Sequence, residues 1–77
     1  MNPLKLLTPN RRRVVIAKLR KQDEAEPKGY DLCYKVNDAY VDVCQRYDNT
    51  WSVSVAGQRL AEAVESRTKC IDILEKL

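Results

Sequence analysis

Apolar residues recur along the chain at two different periods, and the change of period separates helical from extended segments. Val15, Ile16 and Leu19, with the aliphatic stem of Arg12, form a narrow stripe at helical spacing, while Arg11, Lys18 and Lys21 point elsewhere. The stripe follows Thr8-Pro9, where the Thr hydroxyl can accept an orphan helical N–H and Pro has no N–H to satisfy. A helix is therefore predicted from there to Lys21 or Glu24. The polar stretch Gln22 to Gly29, with its acidic cluster and Pro27-Lys28-Gly29, ends it.

From Tyr30 the period becomes two. Tyr30, Leu32, Tyr34 and Val36 alternate with Asp31, Cys33 and Lys35, which predicts a half-buried strand. Asn37-Asp38 tolerates positive φ and predicts a two-residue turn into a second strand, Ala39 to Tyr47. Val36 then lies opposite Ala39, Tyr34 opposite Val41 and Leu32 opposite Val43, which puts the apolar residues on one face. A three-residue loop, Asp48-Asn49-Thr50, with Asn49 left-handed, sets Tyr47 opposite Trp51, Gln45 opposite Val53 and Val43 opposite Val55. Gly57 is expected to end the sheet, after which Leu60, Ala63, Val64, Ile71 and Leu74 recur at helical spacing through Leu77.

The expected fold is a single small α+β domain over residues 1–77. Its parts are a basic segment and helix in 1–22, a three-stranded antiparallel sheet of two hairpins in 30–56, and a C-terminal helix in 58–77 packed on one sheet face. Tyr30, Tyr34, Tyr47 and Trp51 fall on the inward face and read as core. Tyr40 shares the outer face with Asp31, Cys33, Lys35, Asp42, Cys44, Arg46, Ser52 and Ser54, a polar surface that can stand open to water.

Charge adds an asymmetry that the hydrophobic pattern does not show. Lys5, Arg11, Arg12, Arg13, Lys18, Arg20 and Lys21 precede the first acid, Asp23, so residues 1–22 carry +7. Residues 23–77 hold 7 bases and 11 acids, a balance of −4, and together these make the overall +3. Such a split suggests an anionic partner for the basic end. With Thr8 as N-cap, Arg11 to Arg13 sit in the first turn and a half, where the helix dipole disfavours each cation by about 0.3–1 kcal/mol. Arg11, Arg12, Arg13, Lys18, Arg20 and Lys21 are the candidate binding residues. Neutralisation by acids of the loop Asp23 to Glu26, or of the last helix, is the competing account.

The candidate chemistry is sparse. The chain has no His, hence no side chain titrating near neutrality in its ordinary state and no imidazole metal ligand. It has no C-x-x-C spacing, and its two Gly form no phosphate-binding loop. The expectation is a protein that is not an enzyme and uses no cofactor and no metal. Cys33 and Cys44 fall on a diagonal in the derived register, too far apart for a disulfide, and Cys70 reads as a small buried apolar residue. Three Cys with no secretory segment fit a reducing compartment, so the expected location is the cytoplasm. The longest apolar runs, Leu6-Leu7 and Val14 to Ala17, are too short to span a membrane.

The order helix, three antiparallel strands, helix, closing on Ile73-Leu74-Glu75-Lys76-Leu77, is similar to the double-stranded RNA-binding domain. That resemblance implies RNA contacts from the first helix, the first strand loop and a Lys-rich start of the last helix. Here the first loop has two residues, and the last helix is expected to open on Gln58 and Arg59 followed by Glu62 and Glu65. The leading expectation is therefore a small regulator or inhibitor, of the kind frequent among phage and mobile-element genes. It would dock through its basic helix on a macromolecule with an acidic surface, a protein or a protein–nucleic acid complex. Direct RNA or DNA binding by the same residues is the alternative, and a homodimer through an exposed edge strand is the third.

Overall fold

The computed structural model describes residues 3–77. A short 3-10 turn, Pro3–Leu6, leads into helix α1, Pro9–Lys21. Five strands follow, β1 Glu26–Lys28, β2 Asp31–Val36, β3 Val41–Gln45, β4 Trp51–Val55 and β5 Gln58–Val64, and helix α2, Arg67–Glu75, closes the order. The strands form an open antiparallel meander in sequence order. The α+β class and the flanking helices agree with the sequence, but the sheet has five strands and not three.

Helix α1 starts as its cap dictates. The Arg11 N–H donates to the Thr8 hydroxyl at 3.3 Å and Pro9 takes the first helical position. Val15, Ile16 and Leu19 are its buried face, and Gln22 leaves the helix in an extended conformation.

The two strands missing from the sequence reading come from turns at the two glycines. Gly29, at φ 63, opens a two-residue turn that folds Glu26–Lys28 back on β2 with Lys28 opposite Asp31. All three residues of β1 are exposed, so no alternation marks the strand. At the other side Ala56 and Gly57 both take positive φ, 51 and 81, and turn the chain so that Gln58 lies opposite Val55. Gly57 therefore extends the sheet where it was expected to end it. Strand β5 sets seven residues against the five of β4, with register shifts between Trp51 and Ser54 and with Ala63 at φ 55. Such bulges break the period of two. Leu60, Ala61 and Val64 become the half-buried positions, a spacing that imitates a helix. The expected helix over 58–77 is thus a strand followed by α2, which starts under Ser66, whose hydroxyl accepts from the Lys69 N–H at 3.2 Å.

Both expected hairpin registers are displaced by two residues. The β2–β3 connection takes Asn37–Tyr40, a 3-10 turn closed by Tyr40 in the left-handed region at φ 50, where two residues were expected. Val36 faces Val41, Tyr34 faces Val43 and Leu32 faces Gln45. The β3–β4 loop has the expected three residues but begins one earlier, at Tyr47. The Arg46 N–H donates to the Thr50 carbonyl at 2.7 Å, and Asn49 is left-handed at φ 70 as expected. The Asp48 carboxylate accepts from the Thr50 hydroxyl at 2.7 Å and from the Thr50 N–H at 3.0 Å, and these bonds hold its carboxyl below the ordinary value. Because side chains alternate with period two, an even displacement exchanges partners but keeps faces. Both helices pack on that preserved inner face, where Val15, Leu19, Cys70, Ile71 and Leu74 meet Val36, Val41, Val43, Val53 and Val55.

Candidate functional site

Helix α1 lies across the sheet with its cations on three sides. Arg12, Arg13 and Arg20 line a shallow groove with Ile16, Ala17 and Glu75, where the end of α2 crosses the helix. Within it the Arg20 guanidinium pairs with the Glu75 carboxylate, and the Arg12 guanidinium donates to the Leu77 backbone oxygen. Cations at the C-terminal end of α2 meet the negative pole of its dipole. On the opposite flank Arg11 and Lys18 border a second groove with Asn10, Val14 and Asp38, and Lys18 Nζ lies 2.6 Å from the Asp38 carboxylate.

The six sequence-predicted cations are therefore not one patch. Arg12, Lys18 and Arg20 are engaged with the body. Arg11, Arg13 and Lys21 are exposed and make no ion pair among the described residues. The acids that engage the helix come from the β2–β3 turn and from α2. The Asp23 to Glu26 loop supplies none of these pairs.

The other sheet face is polar, with Cys33 and Ser52 buried at its centre, and that centre carries a feature at odds with the sequence expectation. In the observed register Cys33 lies directly opposite Cys44, with Cα atoms 4.1 Å apart, and the two are joined by a disulfide. The two-residue slip in the hairpin accounts for this, since it turns a diagonal pair into a facing one. Of the three Cys on which the expected reducing compartment rests, two are thus bonded to each other and Cys70 is the free thiol. Cys70 is fully buried in the core, and burial pushes its thiol up to about 11. Around the disulfide the charges alternate in sign. Glu26 and Ser52 flank it in the same row, Lys35 faces Asp42, and Arg46 Nε lies 3.9 Å from the Asp31 carboxylate. Among the described residues no group of three or more His, Cys, Asp or Glu converges as a metal site, and no helix is long and apolar enough to cross a membrane.

No protein-family model, no curated protein and no solved structure matches the chain. The fold also departs from the double-stranded RNA-binding pattern at the place where that resemblance implied contacts. Gln58, Arg59 and Glu62 lie in β5, and α2 opens instead on Arg67.

The aromatic residues are the part of the surface that the sequence reading misplaced. Tyr34 and Trp51 are half-buried and stack on each other with centroids 6.2 Å apart and planes at 22°. Arg67 sits over the Tyr34 ring at 4.0 Å, and its Nε and one terminal nitrogen are buried with no hydrogen-bond partner, so the ring face is what offsets its charge. Tyr30 and Tyr47, expected in the core, are 91% and 76% exposed, and Leu32 beside them is 46% exposed. Alternation assigns the face of a residue, but only the helices decide how much of that face is covered. Shortened to Arg67–Glu75, α2 spans about 13 Å where a helix over 58–77 would have spanned about 30 Å, and Tyr30, Leu32 and Tyr47 stay exposed while Trp51 and Val64 are half-buried against the core.

Proposed function

We propose that the protein is a non-enzymatic interaction module that docks through the solvent side of α1 on an acidic macromolecular surface, acting there as a small regulator or inhibitor. The observation that carries this reading is the division of the helix cations. Arg12, Lys18 and Arg20 have partners within the chain, whereas Arg11, Arg13 and Lys21 stand exposed without one among the described residues. Arg11 and Arg13 also lie in the early turns of α1, where the dipole opposes them, so their charge does not serve the helix. The absence of His supports the non-enzymatic part of the reading.

A protein surface fits better than a bare phosphate backbone because Arg11, Arg13 and Lys21 alone among the six helix cations are without a partner among the described residues, too few to follow a continuous line of phosphates. The test is an affinity capture from host cells with the wild-type chain and with an Arg11→Glu/Arg13→Glu/Lys21→Glu variant whose circular dichroism matches it. A partner recovered by the wild type and lost with the variant is the expected result, and equal recovery refutes the reading. Anisotropy titrations against generic duplex DNA and RNA at low and moderate salt address the alternative. Tight binding that weakens steeply with salt would replace an acidic protein partner with a nucleic acid.

A further inference from the structure

The solvent side of α1 has an order that its net charge does not show. Val15, Ile16 and Leu19 turn into the core, and at about 3.6 residues per turn the line opposite them runs through Asn10, Val14, Ala17 and Lys21, all four exposed. One flank of that line carries Arg11 and Lys18, the other Arg13 and Arg20, and each pair is spaced about 10.5 Å along the axis. Val14, 47% exposed, and Ala17 thus form a short apolar seam between two rows of cations, and the helix contains no acid.

Each flank already receives a carboxylate from this chain. Asp38 reaches Lys18 in the groove bordered by Asn10, Arg11 and Val14, and Glu75 reaches Arg20 in the groove bordered by Arg13, Ile16 and Ala17. Both pairs are exposed and therefore weak, so an incoming carboxylate can take the place of either acid. Arg11 and Arg13, one on each flank, make no ion pair among the described residues. The face therefore complements an apolar ridge with acids along both sides.

The spacing of the rows selects the form of that ridge. Residues i and i+7 of a helix share a face and lie about 10.5 Å apart, the separation of the cations within each row. Same-side residues of an extended segment lie about 6.6 or 13 Å apart and fall out of step. A nucleic-acid backbone crossing the same face would lie against Val14 and Ala17, whose side chains offer a phosphate neither charge nor hydrogen bond. A second copy of α1 would bring only like charge.

We propose that the outer face of α1 seats an acidic amphipathic helix of a partner protein, its apolar ridge on Val14 and Ala17 and its carboxylates on Arg11 and Lys18 at one flank and on Arg13 and Arg20 at the other. This rests on the acidic-surface reading of α1 and names the form of that surface. The core fixes α1 before the partner arrives, which lowers the ordering cost of binding.

The test uses the full chain and two labelled peptides of about three heptads. One has Leu at a and d and Glu at e and g, where the like charges oppose its self-pairing, and the other is polyglutamate. Anisotropy reports binding, and circular dichroism reports the helicity that the peptide gains. The amphipathic peptide should bind saturably and become helical, with polyglutamate about tenfold weaker or more. A Val14→Gln/Ala17→Gln variant, which keeps every charge and whose fold is checked by circular dichroism, should bind the amphipathic peptide no better than polyglutamate. The Arg11→Glu/Arg13→Glu/Lys21→Glu variant should weaken both. Equal binding of the two peptides, undiminished binding by the glutamine variant, or binding with no gain of helix overturns the proposed helix seat and leaves the acidic-surface reading standing. If neither peptide binds, the seat is likewise refuted, while capture with the charge-reversed variant still decides the broader reading. Duplex RNA that binds more tightly than the amphipathic peptide and competes it off overturns both.

Discussion

Cys33 and Cys44 have the same residue type and sheet face as expected, yet a displacement of two positions in one hairpin changes them from a diagonal pair to a disulfide. The bond closes a loop with a sequence separation of 11, and a loop of that size restricts the unfolded chain by about 3 kcal/mol. Urea denaturation with and without a dithiol reductant should therefore differ by roughly that amount. A Cys33→Ser variant should lose the sensitivity to reductant, and an unchanged midpoint on reduction would show that the bond contributes nothing. Cys70 behaves in the opposite way, because it is buried and unpaired. Its folded-state value of about 11 lies above the ordinary 9.0, so its contribution to stability is fully present below pH 9 and is lost as pH rises through about 11. Thermal unfolding across that alkaline window should fall more steeply for the wild type than for Cys70→Ala, even though the alanine variant starts lower through its lost packing. Parallel slopes would mean that the thiol is not protected.

At the scale of elements, the turns decided what the periodicity could not. Where the chain alternates cleanly, as in β2, β3 and β4, the strands and their faces were legible, and so was α1 from its Thr8-Pro9 cap to Lys21. The sequence of β5 looks helical because its bulges move the half-buried positions to Leu60, Ala61 and Val64, and that of β1 looks like loop because none of its residues is buried. Ala-Gly is a weak signal for the turn that creates β5, since alanine holds φ 51 at position 56 against the preference of its Cβ. That strain yields a prediction. Ala56→Asn supplies the residue this turn favours and should raise stability by about 0.5–1 kcal/mol, measured as a higher denaturation midpoint. A lower midpoint would mean that Ala56, half-buried against the core, is held by packing more than by its backbone conformation.

On the scale of the whole molecule, two helices on one face of a five-stranded meander leave three surfaces free, the cationic side of α1, the polar face with the disulfide, and the aromatic end. Both sheet edges are blunted. β1 is three residues long and contains Pro27, and β5 is twisted by its bulges, devices that discourage edge-to-edge pairing. Neither edge therefore favours edge-to-edge pairing, the route of the homodimer that the sequence offers as a third reading. The +7 segment and −4 remainder do meet, through Lys18 with Asp38 and Arg20 with Glu75, but exposed pairs of this kind are worth about 0–1 kcal/mol each and leave Arg11, Arg13 and Lys21 without an ion pair among the described residues. The sequence by itself determined the helix cap, the faces of the central strands and the basic character of α1, because each depends on neighbours within a few residues. Tertiary structure alone decided the strand count, the partner of each cysteine, which cations are spent within the chain and which rings stay bare. Those depend on turn lengths and on how far α2 reaches across the sheet, quantities that local periodicity does not contain.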